Sequence, residues 1–176
     1  MRTPVLTLAA AVVVATACGN SDTTTTPVVS KIINFTVNMT PANEPPTLVG
    51  NPTGSGVFKA TLDTSTNVFS YTITYSGLTS NINNGHIHGP FPSGTAATAG
   101  VILNFNTLPG ATFGGFGTAT SGTATGTVTL NAATTISATV NGDSLKKLLL
   151  AGLTYANIHT VSNPGGEIRG QIVRTP

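Results

Sequence analysis

The chain has 176 residues, of which only 7% are charged, with 20 glycines, one cysteine and no tryptophan. That length holds one domain plus a leader or tail, and a charged fraction far below the roughly 25% of ordinary globular domains leaves Thr, Ser and Asn to supply the polar surface. Seven Lys/Arg against five Asp/Glu, with no basic run beyond Lys146-Lys147, exclude the cationic stripe of a nucleic-acid binder, and a lone cysteine excludes an internal disulfide.

The first element is a leader. Met1-Arg2 is a short basic start, and residues 5–17 form a mostly apolar run suited to a signal segment and too short for a membrane span. It ends in Ala15-Thr16-Ala17-Cys18-Gly19. Small residues just before a cysteine resemble the lipobox of bacterial lipoproteins, here with Ala15 where Leu is commoner. The expectation is a signal peptide over 1–17, lipidation at Cys18, and a Thr-rich flexible tether over 18–30. The membrane is then a partner through the lipid, and the protein belongs to the bacterial cell envelope, outside the cytoplasm. Gly19-Asn20 lacks the Asp at the second position after the cysteine that favours inner-membrane retention, so the outer membrane or cell surface is favoured.

The domain proper is expected over 31–176. Period-two alternation marks strands at 33–39, 56–62, 68–75, 101–105, 122–130, 135–140, 155–160 and 167–173. Gly, Pro and Asn clusters between them supply turns. Residues 114–126 read as a weak edge strand or a loop. Tyr71 and Tyr75 alternate with Phe69 and Ile73 and are placed in the core. Residues 143–152 form the one helical pattern, with Asp143 as N-cap and Gly152 at the C-terminus. The fold class predicted is all-β: an antiparallel β-sandwich or flattened Greek-key-like barrel with one short helix.

All three histidines fall in two short motifs, Gly85-His86-Ile87-His88-Gly89-Pro90 and Tyr155-Ala156-Asn157-Ile158-His159-Thr160, followed by Gly165-Gly166-Glu167-Ile168-Arg169-Gly170-Gln171-Ile172. If Ile87, Ala156, Ile158, Ile168 and Ile172 face the core, then His86, His88, Tyr155, Asn157, His159, Glu167 and Arg169 face outward. Such a polar row needs partners or a cover, and residues 89–100 are long enough to cover it. One reading is structural: the histidines hold loop backbone and Glu167, and Glu167 pairs with Arg169. The other is a metal site, because alternate strand positions aim two imidazoles the same way and imidazole suits Cu and Zn.

The series HIHGP, then Gly152, Tyr155, Asn157, His159 and Thr160 at their spacing, then PGGEIRGQI, resembles the CHRD domain, named for its repeats in chordin and found in many bacterial secreted proteins. Glu44-Pro45-Pro46 matches an acidic residue and proline that the family tends to carry after its first strand. The resemblance runs from about Phe35 to Val173 and implies an extracellular β-sandwich-like module with a binding or structural role and no agreed catalytic activity. The H-x-H pair, later histidine and Gly-Gly…Arg segment are also similar to the copper site of Cu/Zn superoxide dismutases. That similarity implies His86, His88 and His159 as ligands and Arg169 as a cation guiding a small anion. No bridging histidine and no disulfide cysteines accompany it.

No G-x-S-x-G elbow, carboxylate pair or phosphate-binding glycine loop is present. The expectation is therefore a lipid-anchored module without catalysis, needing no cofactor and meeting an unidentified protein or glycan. The alternative is a copper or zinc protein with a His86/His88/His159 site and superoxide dismutase-like chemistry.

Overall fold

The computed structural model describes residues 31–94 and 97–176. The signal segment, Cys18 and tether expected over 1–30 lie outside the described residues. The strands are β1 (Ile32–Met39), β2 (Ser55–Asp63), β3 (Val68–Ser76), β4 (Ile82–His88), β5 (Val101–Asn104), β6 (Thr112–Phe113), β7 (Gly122–Thr129), β8 (Thr154–Thr160), β9 (Ile168–Ile172) and β10 (Arg174–Thr175), with one helix, α1 (Gly142–Leu150). They form a six-stranded sheet, β10-β1-β2-β3-β7-β6, and a four-stranded sheet, β5-β4-β8-β9, and each ladder is antiparallel. The all-β sandwich is therefore the architecture, and the strands do not close into a barrel. At one corner the sheets are joined: Thr40 and Arg169 exchange backbone hydrogen bonds of 3.1 and 3.2 Å.

The alternation read from the sequence sets the core. Phe35, Val37 and Met39 of β1, Phe58, Ala60 and Leu62 of β2, and Phe69, Tyr71, Ile73 and Tyr75 of β3 are all buried, and together they form the inner face of the larger sheet. The Tyr71 ring lies 6.2 Å from Phe58 and 5.0 Å from Phe105, and its hydroxyl donates to the Phe105 carbonyl at 3.2 Å. Tyr71 needs that bond, because a buried hydroxyl without a partner is costly. Opposite Tyr71 in the register stands Gly126, where any Cβ would overlap the Tyr71 ring and hydroxyl. A glycine in the middle of a Thr-rich strand is thus space for a tyrosine.

Two expected elements change. The helix is capped by Asn141, whose side-chain oxygen accepts from the Ser144 N–H at 2.9 Å. Asp143 is the first-turn acid and pairs with Lys146 at 2.9 Å. Asn141 takes the cap because it precedes the first helical residue with an extended backbone. Leu145 and Leu149 of this helix are buried against the core. Residues 135–140 form no strand. The Asn131 side chain accepts from the Ala133 and Thr134 N–H groups and curls the chain, leaving one isolated bridge, Thr135 to Asn141. The glycine-rich tract divides: β6 precedes it, its first half is turns with Gly115 and Gly117 at positive φ, and β7 begins at Gly122.

Candidate metal centre

β4, β8 and β9 lie side by side, and their register decides which side chains meet. His86 stands opposite Asn157, His88 opposite Tyr155, and Asn84 opposite His159. On the other flank of β8, Asn157 stands opposite Arg169 and Tyr155 opposite Gln171. Ile87, Ala156, Ile158, Ile168 and Ile172 are fully buried in the core, so alternation sends His86, His88, Tyr155, Asn157, His159 and Arg169 to the outer face together. That part of the sequence expectation holds.

The outer face is covered. His88 Nδ1 lies 2.8 Å from the Ala99 carbonyl, and the Ala99 N–H donates to the Tyr155 hydroxyl at 3.2 Å. Arg169 Nη1 donates to the Ala97 carbonyl and Gln171 Nε2 to the Phe91 carbonyl. Residues 97–99, with Phe91, therefore lie over the histidines and Arg169, and the turn after β8 closes the other side, with His159 Nδ1 2.8 Å from the Pro164 carbonyl. All seven residues of β8 are buried, which accounts for a strand of an antiparallel sheet without a solvent face.

The tautomers follow from these partners. A carbonyl only accepts, so His88 and His159 carry their protons on Nδ1 and present lone pairs at Nε2. His159 Nε2 is 2.9 Å from His86 Nδ1, so one proton lies between those two nitrogens. His88 Nε2 is buried with no hydrogen-bond partner among the described residues. The ligand atoms of the three histidines lie within 4.8 Å of one another. Nitrogen donors about 2.0–2.1 Å from a single ion are at most about 4 Å apart, so the widest pair would close by about 1 Å on loading. A cation in place of the shared proton would meet His86 Nδ1, His88 Nε2 and His159 Nε2. Backbone carbonyls already fix two of the rings from behind, which is how a metal-ligating imidazole is normally oriented.

Beside the triad sits a cation. Arg169 is 4% exposed, with its guanidinium carbon 4.5 Å from the Tyr155 ring and 5.1 Å from that of Phe91. Tyr155 stacks on His88 at 4.8 Å with the rings nearly parallel. Because β8 lies between β4 and β9, the tyrosine separates His88 from Arg169. The arginine Nε donates to the Asn43 carbonyl at 2.7 Å and lies 3.9 Å from Glu44 Oε2. Glu44 is buried, and its Oε1 and Asn157 Oδ1 have no hydrogen-bond partner among the described residues. Gly166, at φ +124°, is pressed against both: a Cβ there would come within 2.5 Å of Glu44 Oε1 and 2.8 Å of Asn157 Nδ2.

Glu167 departs from expectation. It neither faces outward nor pairs with Arg169 or the histidines. Its carboxylate accepts from the Thr79 N–H and the Thr79 and Thr160 hydroxyls at 2.6–2.7 Å and from Asn163 Nδ2 at 3.3 Å. Glu167 precedes the first residue of β9, so strand alternation does not govern it, and the turn directs it to the core side with Thr160. Arg169 takes Glu44 as its carboxylate instead. Glu44 was legible only as part of the Glu-Pro-Pro motif, because it follows a single 3-10 turn, Pro41–Asn43, where no period predicts direction.

The family model of the CHRD domain matches residues 35–172. The chain belongs to the CHRD-domain family. No curated protein and no solved structure matches it. In this CHRD domain the motif residues divide by location: HIHGP and the Asn157/His159 pair build the imidazole cluster, while GGEIRGQI supplies the Gly166 floor, the Glu167 anchor and the Arg169 clamp on Ala97.

Burial pushes the His86 imidazole down to about 3, helped by His159 and His88. Burial also lowers His88 and His159, against the pull of their carbonyl partners. The three rings are therefore neutral at pH 7, the form that ligates metal. Burial raises Glu44 to about 7, against Arg169 and the Asn157 amide. The histidines thus contribute stability that is present above pH 6.5 and lost as pH falls through their folded values. Glu44 contributes stability that is present below pH 4.5 and lost as pH rises through about 7. In the window 4.5–6.5 the two trends oppose, with three histidines against one carboxyl. Metal-free protein is expected to lose stability as pH falls from 6.5, more steeply below 4.5, and Glu44→Gln should steepen the upper part of that fall. Urea unfolding across pH 3.5–7.5 checks this; stability that rises from pH 6.5 to 4.5 would contradict it.

Proposed function

We propose that this CHRD-domain protein is a lipid-anchored envelope protein whose outer-face triad, His86, His88 and His159, binds one transition-metal ion, copper or zinc. The observation that carries the reading is the 2.9 Å approach of His86 Nδ1 to His159 Nε2 beside a buried, unpartnered His88 Nε2. The hydrogen bond from His86 Nδ1 to His159 Nε2 brings two ligand nitrogens together, His88 Nε2 is left with a lone pair and no donor, and a cation in place of the shared proton would engage all three. A purely structural network would have given the buried His88 Nε2 a donor as well. Arg169 bonds to Asn43 and to the cover loop, which favours a clamp over an anion guide. The reading is accordingly metal binding rather than dismutation. Anchoring is supported by the signal-like residues 5–17 and by Cys18.

Demetallated protein loaded with excess Cu or Zn and then desalted is expected to retain one ion per chain by elemental analysis, and His88→Ala to retain none. Retention near zero in the unaltered protein would end the metal reading. For the anchor, Cys18→Ala is expected to move the protein from the membrane pellet to the soluble fraction; a variant still in the pellet would end the lipid reading.

A further inference from the structure

Resting on the metal-binding reading, we infer that this centre selects copper in the cuprous state, Cu(I), over Cu(II) and Zn(II). Four observations carry it: ligand number, ligand charge, burial and the neighbouring cation.

The triad offers three nitrogen donors, and no carboxylate or thiolate joins it among the described residues. Zinc sites are usually four-coordinate, with a protein ligand or a water completing the tetrahedron. Cu(II) prefers four or more donors in a tetragonal arrangement. Cu(I), with a filled d shell, is content with two or three nitrogens. An unpartnered oxygen of the same sheet face is that of the Asn157 amide, a neutral donor that adds no charge.

The charge count points the same way. All three ligands are neutral imidazoles, and the groups that orient them from behind are the neutral carbonyls of Ala99 and Pro164. The charged neighbours are Arg169, stacked on Tyr155, and Glu44, 3.9 Å from Arg169. Their sum is zero when Glu44 is ionised and positive when it is not, so no net negative charge reaches the metal position. Glu167, the other buried carboxylate nearby in sequence, is turned to the core side and engaged by Thr79, Thr160 and Asn163.

Burial multiplies the consequence. His86, His88 and His159 are 7–8% exposed, beneath residues 97–99 and the turn at Pro164. The cost of moving an ion out of water grows with the square of its charge, so a dication is opposed about four times as strongly as a monocation in the same surroundings. A divalent site offsets that cost with anionic ligands or retained water. This one has three neutral rings under a cover and a guanidinium behind one of them.

The experiment is a competition on the full metal-free protein. Cu(I), held in acetonitrile without oxygen, is titrated against bathocuproine disulfonate. Zn(II) is titrated against a chromophoric zinc chelator, and Cu(II) binding is followed by its electron paramagnetic resonance signal. Cu(I) is expected to bind at least about 100-fold more tightly than either dication, the factor that follows when a burial penalty of several kcal/mol per ion grows with the square of the charge. A 100-fold preference over Cu(II) raises the bound copper couple by about 120 mV, at 59 mV per tenfold for one electron. His88→Ala should lose the Cu(I) site, showing that the triad is the site measured. Zn(II) or Cu(II) affinity equal to that of Cu(I) overturns the cuprous preference while leaving the metal reading intact. Failure of all three ions to bind overturns both.

Discussion

Replacing Glu167 with Ala is expected to lower the free energy of unfolding by about 3–5 kcal/mol. Its carboxylate is fully buried and accepts from one backbone N–H, two hydroxyls and one amide. Those donors come from three places: the connection between β3 and β4, the end of β8, and the turn before β9. Asn163, one of the donors, also accepts from the Val49 N–H at 2.8 Å and donates to the Val49 carbonyl, so the network ties in the segment after Glu44 as well. Truncation leaves the buried Thr160 hydroxyl without its acceptor, at about 1–3 kcal/mol before relaxation, and also takes one acceptor from the Asn163 amide and from the more exposed Thr79 N–H and hydroxyl. Glu167→Gln keeps one acceptor oxygen and turns an amide N–H against the Thr79 N–H or the Thr160 hydroxyl, so about 2 kcal/mol is expected. Equilibrium urea unfolding at pH 7 measures both. A loss below about 1 kcal/mol for Glu167→Ala would show that the network is solvated and not a clamp.

The second large effect separates a metal centre from a hydrogen-bonded histidine network. At free metal about 1,000-fold above the dissociation constant, binding adds about 4 kcal/mol to the folded state. For a chain of this length that raises the midpoint of thermal unfolding by about 8–16 °C. His159→Ala is expected to abolish the rise. It removes a ligand, the Pro164 contact, the acceptor of the His86 Nδ1 proton and the ring packed 4.7 Å from His86, so metal-free stability should fall by about 2–3 kcal/mol. A network without metal predicts the reverse pattern: no metal-dependent rise in the unaltered protein and a larger loss in the variant. Calorimetry of both proteins with and without metal distinguishes them.

The sequence by itself determined the all-β class, the inner faces of β1, β2 and β3, and the common outward side of His86, His88, Asn157, His159 and Arg169. The physical reason is that an extended chain throws successive side chains to opposite faces, so a buried isoleucine fixes the direction of its neighbours. The spacing around Ile87 and Ile158 was enough. Tertiary structure alone decided what those side chains meet. The antiparallel register brought His159 of β8 to His86 of β4, and no local pattern encodes a pairing of residues 73 positions apart. The same limit explains Glu44, Glu167 and Asn141. Each lies just outside a regular element, where the strand or helix period no longer sets direction. There the partners offered by other segments decide: Arg169 for Glu44, Thr79 and Thr160 for Glu167, and the free Ser144 N–H for Asn141.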